Sequence, residues 1–194
     1  MNTSSLFSRN TLFGIGLILF GIITRYALKD LPNVETITTV TILAGALLGG
    51  GWGMIVGIAT VAGSDMLIGN TNILYYTWSA WILVGLFGLA ARYSKNAKIG
   101  KQLLKLTGAG LASNLFFFAW TNFGVWHIGG LYPHTAAGLM ESYVMALPFL
   151  RNQLLSTLVI LPAVSVVAIA VWNRLPAMLE SRRSAVSAAH AAQK

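Results

Sequence analysis

His127, His134 and Glu141 recur at intervals of seven and carry the clearest metal-ligating chemistry in this 194-residue chain. Two neutral imidazoles and a carboxylate suit a divalent cation such as Co²⁺, Ni²⁺ or Zn²⁺. The spacing matches no compact ligand motif, and Pro133 with Gly129 and Gly130 prevents one continuous helix through all three. The same stretch, residues 114–152, holds Asn122, Trp126 and Tyr132. Their π faces and hydrogen-bonding edges suit a flat organic solute. Three readings stay open: organic-ligand contact, a cation site, or packing with Trp and Tyr in a headgroup belt.

Residues 106–120 read as the apolar helix that delivers this stretch, and residues 121–134 as a polar-aromatic turn. Residues 139–150 form a second apolar run, of the length of an interfacial lid or of an outer extension of the last helix. Arg25, Asn33 and Asp65 lie in or beside short connectors between apolar stretches. Near the expected membrane boundary, Asp65 and Glu141 are either functional or held in a salt bridge to Arg25 or Arg151. Arg25 could also snorkel to the headgroups. Gly45, Gly49, Gly53 and Gly57 recur every four residues, which suits packing within the chain or docking on another membrane protein.

Hydrophobic residues make up 56% of the chain and charged residues 9%, with mean hydropathy +0.70. A soluble domain carries about 25% charged residues, so the expected class is an all-α polytopic membrane protein embedded in lipid. Without cysteine, disulfides, thiolate nucleophiles and thiolate metal sites are excluded. The net charge of +8 comes from basic residues clustered between apolar runs. That is a topology pattern rather than a nucleic-acid-binding one. P-loop, GxSxG and HExxH motifs are missing, so the chain reads as a non-enzyme with no cofactor of its own.

Six apolar spans are expected: residues 11–24, 36–48, 52–68, 73–91, 106–120 and 152–172, the last with a kink at Pro162. Residues 36–64 carry no charge. As one helix they would run about 43 Å, too long for a bilayer core of about 30 Å. The glycines at 49, 50, 51 and 53 therefore mark a hairpin. Residues 1–173 form one six-helix domain in this reading, and residues 174–194 a basic, Ala/Ser-rich, solvated and partly disordered cytoplasmic tail. With both termini cytoplasmic, ten basic residues fall inside and three, Arg25, Lys29 and Arg151, outside. This agrees with the positive-inside rule. Every carboxylate except Glu180 then lies in or beside the outer connectors.

This layout resembles the substrate-binding S components of energy-coupling factor (ECF) transporters. The segments RYALKDLPNVETITTVTILAGALLGG, GSDMLIG and SNLFFFAWTNFGVW…YPHTAAGLMESYVMALPF also resemble a bacterial six-helix membrane family placed near them. The resemblance implies a bacterial inner-membrane subunit that captures a vitamin-like solute outside the cell. It would release the solute inward through a transmembrane coupling protein driven by ATPase subunits. It places ligand contacts at Arg25, Asn33, Asp65, Asn122, Trp126, His127, Tyr132, His134 and Glu141. The first helix departs from the pattern, with Gly14, Gly16 and Gly21 where S components often carry Ala-x-x-x-Ala. A corrinoid is one candidate solute and, without cysteine, would need His127 or His134 as axial ligand or none. The alternatives are divalent-cation uptake through His127, His134 and Glu141, or a structural membrane subunit without transport.

Overall fold

The computed structural model describes residues 8–191 apart from Pro32, Glu35 and Thr71, with side chains described through Pro176. The turn expected at Pro32 and the outer carboxylate Glu35 therefore lie outside the described residues. Six helices follow in order: α1 (Arg9–Ala27), α2 (Ile37–Leu47), α3 (Trp52–Ile68), α4 (Leu74–Ala90), α5 (Ile99–Ile128) and α6 (Ala136–Ala191).

Local chemistry sets most of these boundaries. The Ser8 hydroxyl accepts from Thr11 N–H at 3.2 Å and caps α1. Between α2 and α3, Gly49 (φ 73°) and Gly50 (φ 53°) take successive left-handed conformations, which closes the expected hairpin. Gly69 ends α3, its N–H bonding Asp65 O at 2.9 Å. After α4 the chain is held by Gln102, which donates to Ala91 O and accepts from Ser94 N–H, both at 3.3 Å. The Thr135 hydroxyl accepts from Gly138 N–H at 3.1 Å and caps α6.

α2 is the axis of the bundle. All eleven of its residues are buried, and it touches each of the other five helices. One of its threonines anchors a polar relay: Thr38 donates to Asn114 Oδ1 at 3.0 Å, and Asn114 in turn donates to Thr157 Oγ1 at 2.7 Å. These bonds tie α2, α5 and α6 together inside the core, where an unpaired amide would be costly.

The exterior is apolar as well. Leu19, Ile23, Val159 and Val167 are all more than half exposed, a surface that suits lipid and not water. Helices α1, α5 and the 136–176 part of α6 are long and apolar enough to cross a membrane. Helices α2, α3 and α4 are shorter, at 11, 17 and 17 residues, about 17 to 26 Å of rise. The chain is thus an all-α helix bundle of membrane-associated character, with half of its helices long enough to span unaided.

Two expectations change and one choice is decided. The polar-aromatic turn does not begin at Thr121: α5 continues to Ile128, and the break falls at Gly129 and Gly130 (φ 72°). Of the two readings of residues 139–150, the extension of the last helix is the one formed: they belong to α6, which passes through Pro148, Pro162 and Pro176. Prolines are tolerated in apolar helices where neighbours satisfy the freed carbonyls. The tail expected to be partly disordered continues α6 to Ala191; its alanines, with no side-chain entropy to lose, favour helix.

The glycine series faces inward. A Cβ at Gly45 would meet Gly85 O and Gly88 Cα at 2.9 Å, one at Gly53 would meet Gly85 O at 2.7 Å, and one at Gly57 would meet Trp81 O at 2.8 Å. Gly49 lies in the turn against Arg92. These four glycines pack the chain against itself and offer no outer docking face.

Candidate functional site: a cleft of two chambers at one end of the bundle

The C-terminal ends of α1, α3 and α5 meet the N-terminal parts of α2, α4 and α6 at one end of the bundle, and a cleft opens between them. Its smaller chamber, ≈ 270 Å³, is lined by Arg25, Lys29, Asn33, Asp65, Asn70 and Trp81 among others. Its larger chamber, ≈ 530 Å³, is lined by Asn33, Phe118, Thr121, Asn122, Tyr132 and Ser142 among others. Asn33, Thr77, Phe117 and Gln153 line both, so the chambers adjoin at a common neck.

Among the described residues, charge is confined to the smaller chamber. Arg25 pairs with Asp65 at 2.5 Å and is the only ion pair among the described residues. Asp65 also accepts from Trp78 Nε1 at 2.9 Å and from Asn70 Nδ2, while Arg25 reaches Ser64 Oγ at 2.5 Å. The Asp65 side chain is 8% exposed, so three donors offset the cost of burying its carboxylate. Of the two readings of Asp65, the salt bridge to Arg25 is the one formed. Among the described residues, no charged one lines the larger chamber.

The walls of the neck are aromatic. Trp81 and Phe117 have ring centroids 4.6 Å apart at 40°, and Trp81 is buried. The α5–α6 connector closes one side. Trp126 Nε1 donates to Pro133 O at 3.0 Å, and Asn72 Nδ2 donates to Gly129 O at 3.3 Å. These bonds hold Tyr132 over the larger chamber.

The structure divides the residues singled out from sequence. Arg25, Asn33, Asp65, Asn122 and Tyr132 line the cleft. Trp126, His127, His134 and Glu141 do not. His127 Nδ1 lies 2.7 Å from Tyr76 Oη, and its ring stacks on Phe123 with centroids 5.7 Å apart. His134 packs against Trp126, centroids 5.4 Å apart, and Glu141 is exposed on α6. Among the described residues no three His, Asp or Glu side chains come together as a cation site, so the His127, His134 and Glu141 set loses its geometric basis. The continuation of α5 explains this split. At 100° per residue, positions 118, 121, 122 and 125 share one face, while 120, 123 and 127 fall on the opposite one.

Sequence reasoning missed Thr77, Trp81, Phe117 and Gln153. Gln153 carried a usable signal, being a primary amide at the head of the apolar residues 154–172. The others read as ordinary core residues until α4 and α5 are brought together.

Residues 5–178 match the model of a family described as a family of unknown function (DUF6580). No curated protein and no solved structure matches the chain.

Proposed function

We propose that this chain, which belongs to the DUF6580 family, is a membrane-embedded substrate-capture subunit that binds a small organic solute in the two-chambered cleft. The observation that carries this reading is the cleft itself. Among the described residues it is uncharged and partly aromatic in its larger chamber, polar at its smaller one, and lined from all six helices or their connectors. A site with apolar walls and a few placed polar groups is the usual form of a small-molecule pocket.

Sidedness supports it further. The cleft lies at the end bearing Arg25 and Lys29, whereas Arg9, Arg92, Lys95, Lys98, Lys101 and Lys105 gather toward the opposite end. With the basic end cytoplasmic, all six helices cross a bacterial inner membrane, both termini lie inside and the cleft opens outward. The short helices α2, α3 and α4 cross within the bundle, shielded by their neighbours. The resemblance to S components then supplies the rest of the cycle: docking on a transmembrane coupling protein with ATPase subunits, and release of a vitamin-like solute inward.

Protein purified gently from native membranes should carry a near-stoichiometric small solute, detected by mass spectrometry of the extract. Ala146→Phe fills the larger chamber and should reduce that solute about tenfold or more, the scale set by overpacking costs of about 1–3 kcal/mol. Asn122→Leu tests the same wall with little added bulk. Lipid alone in the wild-type extract, or equal solute in all three proteins, defeats the proposal.

A further inference from the structure

Gln153 sits at the neck between the chambers and is 4% exposed. Its backbone carbonyl accepts from Asn114 Nδ2 at 3.3 Å and from Ser156 Oγ at 3.0 Å. Its side-chain amide has no hydrogen-bonding partner among the described residues. The side-chain atoms sealed in without a partner among the described residues are Thr41 Oγ1 and Thr60 Oγ1, so the Gln153 amide is open to the chambers with one acceptor and two N–H donors. Here it faces a space large enough for a solute.

The neighbouring hydroxyls have already committed their protons. Thr77 Oγ1 donates to Leu74 O at 3.0 Å, Thr121 Oγ1 to Phe117 O at 2.8 Å, and Ser142 Oγ to Leu139 O at 2.8 Å. Asn122 Nδ2 donates to Phe118 O at 2.8 Å. A hydroxyl has one proton, so these three side chains turn only oxygen lone pairs toward the cavity. Asn122 has spent one of its two N–H groups and Asn33, which also lines the neck, is exposed, so Gln153 is the buried side chain at the neck with its whole amide edge unspent. Beside it stand the flat faces of Trp81 and Phe117.

We infer that Gln153 recognises a neutral, planar amide, lactam or ureide edge of the solute through paired hydrogen bonds at the neck. This rests on the capture reading of the cleft and narrows its substrate class. The part of the solute in the larger chamber carries no charge, because no described residue lining it would neutralise one. Its N–H groups face the lone pairs of Thr121 and Ser142, and its ring lies along Phe117.

The test uses two probes, 2-quinolone and 1-methyl-2-quinolone, titrated against the full purified chain by ligand-observed NMR. Both partition into detergent alike, and only the first presents a lactam N–H beside its carbonyl. Wild type should bind 2-quinolone about tenfold more tightly, the scale of one buried hydrogen bond left unmade. Gln153→Leu should erase that preference, and Gln153→Met serves if the leucine variant does not fold. Without probe, the Leu variant should melt no lower than wild type, since the Gln153 amide makes no bond within the described residues that leucine would lose. A structural glutamine would instead lower the melting temperature. No preference in wild type, or a preference that survives in the variants, overturns the inference. The capture reading would still stand if Ala146→Phe loses the co-purified solute.

Discussion

Replacing Asp65 with alanine is expected to destabilise the bundle by about 3–5 kcal/mol, the range for breaking a buried pair by removing one partner. The carboxylate holds Arg25 from α1, Trp78 from α4 and Asn70 from the turn between α3 and α4. Alanine leaves the guanidinium, whose side chain is only 24% exposed, without its counter-ion at the floor of the cleft. It also strands the indole N–H. The pair itself contributes much less than this figure, because both ions were taken from water to make it. The double variant Arg25→Met/Asp65→Leu should therefore recover most of the loss. Thermal unfolding in detergent, followed by tryptophan fluorescence, separates the cases. Equal destabilisation of the single and double variants would show that no such coupling exists.

That network was half visible in the sequence. An acid and an arginine near a membrane boundary suggest a pair, but nothing local says that Trp78 and Asn70 complete it. The hairpin at Gly49 and Gly50 was legible because two adjacent glycines in an apolar run have few other uses. The course of α5 was not. Residues 121–128 mix amide, aromatic and glycine in a way that imitates a turn, yet Gly124 is there because α4 comes so close: a Cβ would strike the Tyr76 ring. A glycine needed for tertiary approach looks the same, in sequence, as one needed for a turn. Reading the segment as a loop placed Asn122 and His127 together, whereas helical periodicity sets them apart. Gln153 was passed over because an amide at the head of a span reads as a boundary, and its meaning depends on a cavity formed by other helices.

Gly85→Ala is expected to lower stability by about 1–3 kcal/mol through overpacking, and Gly85→Leu to prevent the folded bundle from forming. The added Cβ would lie 2.9 Å from Met54 Cα and closer still to the backbone of Gly53. Those are main-chain atoms of α3, which cannot rotate away as a side-chain tip could. Gly45 and Gly88 make the same demand between α2 and α4, where a Cβ at Gly88 would sit 2.7 Å from Ile42 O. In lipid the hydrophobic effect does not press helices together, so close backbone approach carries much of the association. The opposing term is helix propensity, which favours alanine over glycine by about 1 kcal/mol. Gly108 measures that term alone: a Cβ there meets nothing within 4 Å, so Gly108→Ala should leave the melting temperature unchanged or raise it. If Gly85→Ala behaves like Gly108→Ala, the three backbones are not packed as described. The consequence would reach the cleft, because α2, α3 and α4 hold Ile37, Asp65 and Thr77 at its floor only while their glycine contacts fix how far each helix extends.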